Sequence, residues 1–211
     1  MIYPCLYNAP IIYYALVLHE AKSIAIEQHD HYTKQTYRNR CRILGGNGVM
    51  DLVIPVVKQH GKKTLMKDIL IDNDSPWQAI HWKSINSAYA SSPFFEFVSD
   101  YYQPFYSKKQ NSLLDLNCEL LSVSLELLNI NLKYSLSDSY KPIDSNDDLR
   151  ETIHPKRSFI SDSVVYKAQK YQQVFSDRHG NMDNLSILDL LFNEGQNAGL
   201  ILKSSISTRE R

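Results

Sequence analysis

The first 28 residues of the chain constrain its fold more than any other segment. They read MIYPCLYNAPIIYYALVLHEAKSIAIEQ. This pattern predicts a short strand, a loop, a helix from Ile11 to Glu20 and a second strand in SIAIEQ. Pro4 and Pro10 confine the first strand to its opening residues, and Pro10 suits the start of the helix. Two strands joined by a helix favour a parallel pair with a right-handed crossover.

The carboxyl ends of these two strands predict where a ligand would bind, because ligands of parallel α/β units gather beyond that edge. Tyr3 and Tyr32 lie in or near the segments concerned and are candidate substrate-binding residues. Glu27 and His31 are candidates for general acid–base work. A turn packed with polar residues is the alternative interpretation. EQHDH also contains candidate metal ligands, but such short polar clusters are common in loops, and we predict no metal.

A β-hairpin is predicted next, because GGNG separates TYRNRCRIL from VMDLVIPVV and Asn-Gly is a strong turn signal. Strand side chains alternate between two faces. One face of the hairpin is therefore predicted to be apolar. The other would carry Arg38, Arg40 and Arg42 over roughly 13 Å, at about 3.3 Å per residue. Asn39 falls on the apolar face and must find hydrogen-bond partners if it is buried.

The three arginines admit two interpretations. They form either a solvated outer face, with Arg42 offset by Asp51, or a site for a phosphate, a carboxylate or a nucleotide-sugar diphosphate. Arginine suits the second role because its planar guanidinium donates two hydrogen bonds to one oxyanion. Lys34, just before the strand, would add a mobile point charge.

The rest of the chain predicts helices and one short strand. PWQAIHWKSINSAYASSPFFEFVSDYYQPFYS predicts helices interrupted at Pro93 and Pro104, and SLLDLNCELLSVSLELLNI repeats leucine at helical spacing. NLKYSLSD predicts a strand, residues 140–160 a long polar loop, and LSILDLLFNEG a closing helix. We therefore predict one α/β domain over residues 1–202, with a small mixed sheet extended by the hairpin and packed with helices. Residues 203–211 are expected to form a flexible tail.

The composition excludes several function classes. Lys plus Arg number 23 and Asp plus Glu number 23, so no overall basic field attracts nucleic acid or acidic lipid. The apolar run IIYYALVL is far shorter than the ~20 residues of a membrane span, and no signal-peptide pattern precedes it. GxGxxG, GxxxxGK[ST], GxSxG and HExxH are all absent. We predict a soluble protein that binds neither nucleic acid nor membranes, and the sequence leaves its cofactor unknown.

The cysteines indicate the redox compartment. Cys5, Cys41 and Cys118 are odd in number, far apart and without metal-ligand spacing. A reduced, cytoplasmic protein is therefore predicted. Free cysteines of this kind are more often small buried hydrophobes than catalytic thiols.

His81 follows Trp77 by four residues, so both side chains lie on one face of the predicted helix. A Trp–His pair in the core, with the imidazole hydrogen-bonded to backbone, is one interpretation. A histidine in a functional site is the other. Asp189 and Asn193 repeat this spacing late in the chain, and hydrogen bonds to a neighbouring loop would explain them.

Four segments, in order, make the chain resemble the WbqC-like family. YPCLYNAPIIYYALV resembles its proline- and tyrosine-rich opening, and KQTYRNRCRI resembles its basic stretch through Lys34, Asn39 and Arg40, among others. WQAIH followed by AYASSPFF fits its Trp-x3-His and Tyr-to-Pro-Phe spacing, and LSILDLLFNEG resembles its closing helix. The opening departs from the family's common form, which has a Gln before the proline where this chain has Tyr3.

The resemblance implies a setting in surface-polysaccharide biosynthesis but no assigned reaction. It favours a cytoplasmic enzyme of glycan precursor assembly that transfers an acyl or aminoacyl group and binds a small anionic substrate such as a nucleotide-sugar. The alternative is a non-catalytic accessory protein that holds pathway partners on a tyrosine-rich surface. Homo-oligomerisation stays open. The predicted catalytic residues are His81, Glu27 and His31, with His81 first because a helix holds it. The predicted substrate-binding residues are Lys34, Arg38, Asn39, Arg40, Tyr3 and Tyr32.

Overall fold

The strand–helix–strand opening forms as the sequence predicts. The structure is a computed structural model that describes residues 2–20, 23–57, 63–143, 148–161 and 163–209. Its helices and strands, in chain order, are β1 (Ile2–Pro4), α1 (Ile11–Glu20), β2 (Ser23–Glu27), β3 (Arg40–Gly45), β4 (Gly48–Val53), α2 (Trp77–Tyr89), α3 (Phe95–Ser107), α4 (Leu113–Leu127), β5 (Lys133–Leu136), β6 (Val164–Tyr166), α5 (Ser176–His179), α6 (Ile187–Glu194), α7 (Ala198–Ser204) and β7 (Ile206–Thr208).

A parallel sheet in the order β1-β2-β5 organises the fold. α1 is the crossover between β1 and β2, and its residues 11–17 are all buried. β1 and β2 end together, because Pro4 pairs with Glu27. Asp148 bridges Ile2 in parallel and so lies along the other edge of β1. Segments that are distant in sequence therefore meet at the carboxyl edge of this sheet.

The predicted hairpin forms as β3 and β4, with Gly45 paired to Gly48 across a two-residue turn. Gly48 has a φ of 107°, a left-handed conformation that favours glycine. The apolar face is confirmed, because Cys41, Ile43 and Leu52 are buried. The hairpin is a separate two-stranded sheet, however, and does not extend the parallel one.

A backbone hydrogen bond between two loops links the hairpin to the parallel sheet. The Tyr7 backbone N–H, in the loop after β1, donates to the Tyr37 carbonyl at 2.9 Å. That contact joins two loops and is not part of a strand ladder. The hairpin therefore attaches to the sheet through turns at both sides.

The helices form where the leucine and aromatic spacing predicts them, with one correction. Pro93 does separate α2 from α3, but Pro104 lies inside α3 and does not interrupt it. The proline stands in the last turn, where the only intrahelical bond it removes is the one to the exposed Asp100. Its own carbonyl still accepts from the Lys108 N–H at 3.3 Å.

The C-terminal elements complete one α/β domain. The buried apolar residues of the sheet, hairpin and helices form a single cluster, which confirms the predicted fold class. Residues 203–209, at the start of the expected tail, contain the end of α7 and β7, and β7 pairs antiparallel with β6. None of the helices described is long and apolar enough to cross a membrane.

Candidate functional site: a buried charge network and an arginine surface

A buried charge network lies at the carboxyl edge of the parallel sheet. Glu27 ends β2, and Arg150 lies two residues beyond the bridge between Asp148 and Ile2. Glu27 Oε2 lies 3.7 Å from Arg150 Nη1, and both side chains are completely buried. The buried charge network comprises Glu27, Ser137, Asp148 and Arg150.

Glu27 is held from several directions. Its Oε1 accepts hydrogen bonds from Ser137 Oγ and the His29 N–H, both at 2.7 Å. Its Oε2 accepts from the Lys141 N–H at 3.2 Å. Because the Glu27 side chain is completely buried, a substrate could reach this carboxylate only by displacing the groups that cover it.

Arg150 is fixed mainly by Asp148. Its Nε donates to both carboxylate oxygens of Asp148, at 2.8 and 2.9 Å, and its Nη2 donates to Asp148 Oδ2 and to the Lys141 carbonyl. The hydrogen bonds to Asp148 raise the pKa of Arg150, and the nearby Asp30 and Glu27 raise it further. Its guanidinium also stacks over the Tyr140 ring, at 5.4 Å from the centroid.

Arg38 does not join the other hairpin arginines. It precedes β3, in a turn, so strand alternation does not govern its direction. Its side chain is only 4% exposed and pairs with Asp30 at 2.7 Å. Asn117 Nδ2 donates to the Arg38 carbonyl at 2.8 Å. The predicted row of three guanidinium groups on one face is therefore wrong, and the outer face of the strand carries two.

Arg40 and Arg42 form the arginine surface, together with Asp51. Arg40 Nη1 lies 2.9 Å from Asp51 Oδ2, and Arg42 Nε lies 3.0 Å from Asp51 Oδ1. The three side chains are 17%, 32% and 30% exposed, respectively. Two guanidinium groups thus share one carboxylate, which leaves an excess positive charge. Arg40 Nε is buried and makes no hydrogen bond within the described structure.

Residues 154–157 bring further basic groups to the arginine surface. Arg42 Nη1 donates to the Pro155 carbonyl at 3.0 Å. Lys156 Nζ lies 2.5 Å from Gln35 Oε1, next in sequence to the exposed Lys34. Burial lowers the pKa of His154, and the positive charge of Arg157 lowers it further. HPKR was not selected by sequence reasoning, because more than a hundred positions separate it from the hairpin.

The predicted substrate-binding tyrosines and Asn39 occupy different environments. Tyr32 lies near the arginines; burial raises its pKa to about 12, although the positive charge of Arg40 and Arg38 acts in the opposite direction. Tyr3 is fully buried and packs edge-on against Tyr13, with 5.4 Å between ring centroids. Asn39 is buried and donates to the Ile54 carbonyl at 2.7 Å, so it joins the ends of the two hairpin segments.

His81 belongs to a buried aromatic cluster. Tyr7 OH lies 2.9 Å from His81 Nδ1 and 2.8 Å from Tyr106 OH, and Asn8 Nδ2 donates to that second hydroxyl at 3.0 Å. The Trp77 ring stands edge-on to the imidazole, with 5.2 Å between centroids.

Burial lowers the pKa of His81 to about 4, although a hydrogen bond with the Val53 backbone acts in the opposite direction. The imidazole is therefore neutral at neutral pH. Val53 pairs with Arg40 across the hairpin, so the His81 cluster reaches the hairpin close to the arginine surface.

The three predicted catalytic residues lie in separate settings. Glu27 is in the buried charge network, His81 in the aromatic cluster, and His31 is exposed, with its backbone bridged to Leu65. Within the described residues, no hydrogen bond or ion pair joins any two of them. In the same part of the chain, no group of three or more His, Cys, Asp or Glu side chains is arranged to hold a metal ion.

The fold and the site define an α/β protein with a charged carboxyl edge and a basic hairpin. The sequence model of the WbqC-like protein family matches residues 7–159, and the chain belongs to that family. It is 26% identical over 190 residues to the uncharacterized protein Rv1507c of Mycobacterium tuberculosis (strain ATCC 25618 / H37Rv), with 79% of this chain and 81% of that protein covered. No solved structure matches the chain.

Proposed function

We propose that the chain is an enzyme of surface-glycan precursor biosynthesis that binds an anionic substrate on the arginine surface. The observation that carries this proposal is the shared carboxylate: Arg40 and Arg42 both pair with Asp51. One of the two positive charges is left without a counter-charge. A bound phosphate or carboxylate would neutralise it.

The surroundings strengthen the attraction for an anion. Lys34 and Lys156 stand on the adjoining loops, and the Lys156 ammonium donates to the neutral Gln35 side chain. Opposite charges about 4 Å apart attract by about 1 kcal/mol in water and by several times more near a protein surface. Several cations on one surface therefore favour a multiply charged ligand over a single carboxylate.

A nucleotide-sugar diphosphate fits this surface best. Its two phosphates match two guanidinium groups, each of which donates paired hydrogen bonds in one plane. The Tyr32 hydroxyl stays protonated at neutral pH because its pKa is about 12, so it can donate to a phosphate or sugar oxygen. Membership of the WbqC-like family supports the glycan setting, since the family is associated with surface-polysaccharide gene clusters.

His81 is the proposed acid–base residue. Its imidazole is neutral and hydrogen-bonded to the Tyr7 hydroxyl at 2.9 Å, so the pair can pass a proton between them. The Val53 backbone acts on the pKa of His81, and Val53 pairs with Arg40 across the hairpin, so His81 lies near the strand that carries the arginine surface. Glu27 and His31 remain the alternative candidates, with Glu27 limited by its complete burial.

Calorimetric titration with UDP-sugars, acyl thioesters and free amino acids tests the binding site. Arg40→Gln and Arg42→Gln should each weaken diphosphate binding about 10- to 100-fold, since a charged hydrogen bond contributes about 1.5–3 kcal/mol. Arg209→Gln is the matched control, because this exposed arginine follows β7 in a different sheet. Equal binding by wild type, Arg40→Gln and Arg42→Gln would remove the arginine surface as the site.

Catalysis is tested separately, with His81→Gln and a ligand that the wild type binds. Loss of turnover with unchanged binding supports the proposed acid–base role. Full turnover in His81→Gln would transfer that role to Glu27 or His31.

A second candidate function rests on the outer face of α3. Phe97 and Tyr101 are one helical turn apart and are 71% and 44% exposed. Exposed aromatic pairs are typical of protein contacts. An accessory protein that binds a partner of the polysaccharide pathway would use this face. Partner binding that is lost in Phe97→Ala, from a protein that turns over no nucleotide-sugar, would favour this second function.

A further inference from the structure

Two of the three cysteines meet between the parallel sheet and α4. Cys5 follows directly after β1 and is buried, while Cys118 lies in α4 and is partly exposed. Their sequence positions are more than a hundred residues apart. The fold therefore creates a neighbouring pair of thiols that the spacing of the cysteines does not predict.

The contacts of Cys5 place it beside the Cys118 turn. Cys5 Sγ donates to the Leu114 carbonyl at 3.8 Å. Leu114 precedes Cys118 by four residues, so both stand on the same side of the helix. Cys5 is also close enough to Cys118 to lower the pKa of the Cys118 thiol. The Cys5 hydrogen can thus be directed to the carbonyl or to the Cys118 sulfur.

Only one member of the pair is accessible from solvent. An open groove of about 440 Å³ runs between α3, α4 and β5, and Cys118 is part of its wall. The groove is lined by Phe105, Asp115, Cys118, Glu119, Ser122, Val123 and Tyr134. Cys5 is 4% exposed and is not among these residues. A small oxidant would therefore reach Cys118 first and Cys5 second.

We propose that Cys118 is an oxidation site for hydroperoxides and that Cys5 is the resolving thiol which closes a disulfide with it. The accessible Cys118, its buried neighbour Cys5 and the groove that has Cys118 in its wall supply the three parts that such a site needs.

The chemistry balances in two steps. The Cys118 thiolate attacks one oxygen of hydrogen peroxide, the O–O bond breaks, and Cys118 becomes a sulfenic acid as hydroxide leaves. The Cys5 sulfur then attacks the sulfenic sulfur, the S–S bond forms, and water leaves with the Cys5 proton. The peroxide is reduced to two molecules of water in all, and the two thiols are oxidised by two electrons.

The environments of the two thiols suit these roles. The hydrogen bond from Cys5 lowers the pKa of Cys118, which raises the fraction of the reactive thiolate. Burial raises the pKa of Cys5, which keeps that sulfur protonated until the sulfenic acid forms beside it. The third thiol, Cys41, is buried under the hairpin, and burial raises its pKa as well.

Mass spectrometry of the full chain after treatment with hydrogen peroxide tests the proposal. The wild type should lose two hydrogens, about 2 Da, and peptide mapping should join Cys5 to Cys118. Dithiothreitol should restore the original mass. Cys41→Ser is the matched control and should behave as the wild type does.

Two variants separate the roles of the thiols. Cys5→Ala should form no disulfide and should accumulate a Cys118 sulfenic acid, which dimedone captures. Cys118→Ser should show neither product. If Cys5→Ala misfolds, the peptide map of the oxidised wild type still tests the pairing, and the order in which iodoacetamide alkylates the native wild type tests which thiol is accessible, with Cys118 expected first. A wild type in which Cys118 proceeds to the sulfinic acid, or joins a second molecule, would overturn the pairing.

Discussion

The buried charge network and the arginine surface use the same chemistry in opposite settings. Each pairs carboxylates with guanidinium groups. The Glu27 and Arg150 side chains are 0% exposed, whereas Asp51 and Arg42 are about one-third exposed, at 30% and 32%. In the interior, Asp148 and the backbone occupy most of the donors of Arg150. At the surface, one carboxylate serves two arginines.

The difference in exposure between the two regions indicates which arginines can exchange their present partner for a ligand. A charge that has lost its water must be neutralised inside the protein, so the interior network fixes the ends of β1 and β2. A partly exposed arginine such as Arg42, at 32%, keeps part of its hydration and can exchange a partner for an anion at low cost. Glu27 and Arg40 are both candidates in the sequence, but Arg40 lies on a partly exposed surface with an excess of positive charge, whereas Glu27 is completely buried.

Removal of Arg150 should have the largest effect on stability. Arg150→Ala leaves Glu27 and Asp148 buried without their counter-charge, and loss of one partner of a buried pair costs about 3–5 kcal/mol. Urea unfolding followed by circular dichroism should show this decrease in the free energy of unfolding. Arg209→Ala, a change at an exposed arginine, should cost less than about 1 kcal/mol. Equal midpoints for the two variants would show that the network does not support the fold.

The described interior also contains two ionisable side chains without an oppositely charged partner, His81 and Asp189. Burial shifts the pKa of each in the direction that favours its neutral form. Burial lowers the pKa of His81 to about 4, and burial raises the pKa of Asp189 to about 6. Asp189 accepts hydrogen bonds from Tyr89, at 2.9 Å, and from Tyr171, at 2.5 Å. These donors are neutral, so they do not replace a cation. Burial with a counter-charge preserves ionisation, and burial without one suppresses it.

His81 should make the folded state lose stability in acid. Its pKa is about 6.5 in the unfolded chain and about 4 in the folded one, so the unfolded state binds more protons between these values. The contribution is fully present above pH 6.5 and falls by about 3 kcal/mol as the pH drops to 4. Urea midpoints from pH 4 to 7, for wild type and His81→Gln, should differ by this slope. Parallel curves would contradict the low pKa.

Asp189 should act with the opposite sign. Its pKa rises from 3.8 in the unfolded chain to about 6 in the folded one, so the folded state binds more protons between these values. Its contribution is present below about pH 4 and is lost, by about 3 kcal/mol, as the pH rises through 6. Asp189→Asn should therefore show a steeper gain of stability with pH than the wild type. An unchanged slope would mean that the carboxylate is already ionised at pH 5.

Local patterns predicted much of the fold and part of the site. Residues 11–20 form the helix that their spacing indicates, and Cys41 and Ile43 face the core as alternation requires. These features depend on neighbours within a few positions. Arg150 was missed because nothing in a polar loop marks one arginine as buried, and its ion pair with Glu27 joins positions more than a hundred residues apart.

The inward turn of Arg38 was missed for a related reason. Alternation predicts the direction of a side chain only within a strand, and β3 begins at Arg40. A turn before the strand aimed Arg38 at Asp30, eight residues earlier. Similarly, Lys156 reaches Gln35 through tertiary packing that a single sequence does not encode in any local period. The local patterns were enough to assign the family, but the contacts of Arg38 and Lys156 depend on the tertiary structure.

Asp51→Asn should have the smallest effect on stability and gives the sharpest test of the arginine surface. An exposed ion pair contributes less than about 1 kcal/mol, so the urea midpoint should hardly change. Removal of the shared carboxylate leaves Arg40 and Arg42 with no competing anion. Affinity for a nucleotide diphosphate should then rise about three- to tenfold at low salt and return towards the wild-type value at high salt, because mobile ions screen exposed charges. Calorimetric titration measures the affinity of the wild type, of Asp51→Asn and of a control, Asp100→Asn, which changes an exposed carboxylate on α3. A gain of equal size in the control would indicate a general charge effect, whereas a gain confined to Asp51→Asn would assign the bound anion to the two hairpin arginines.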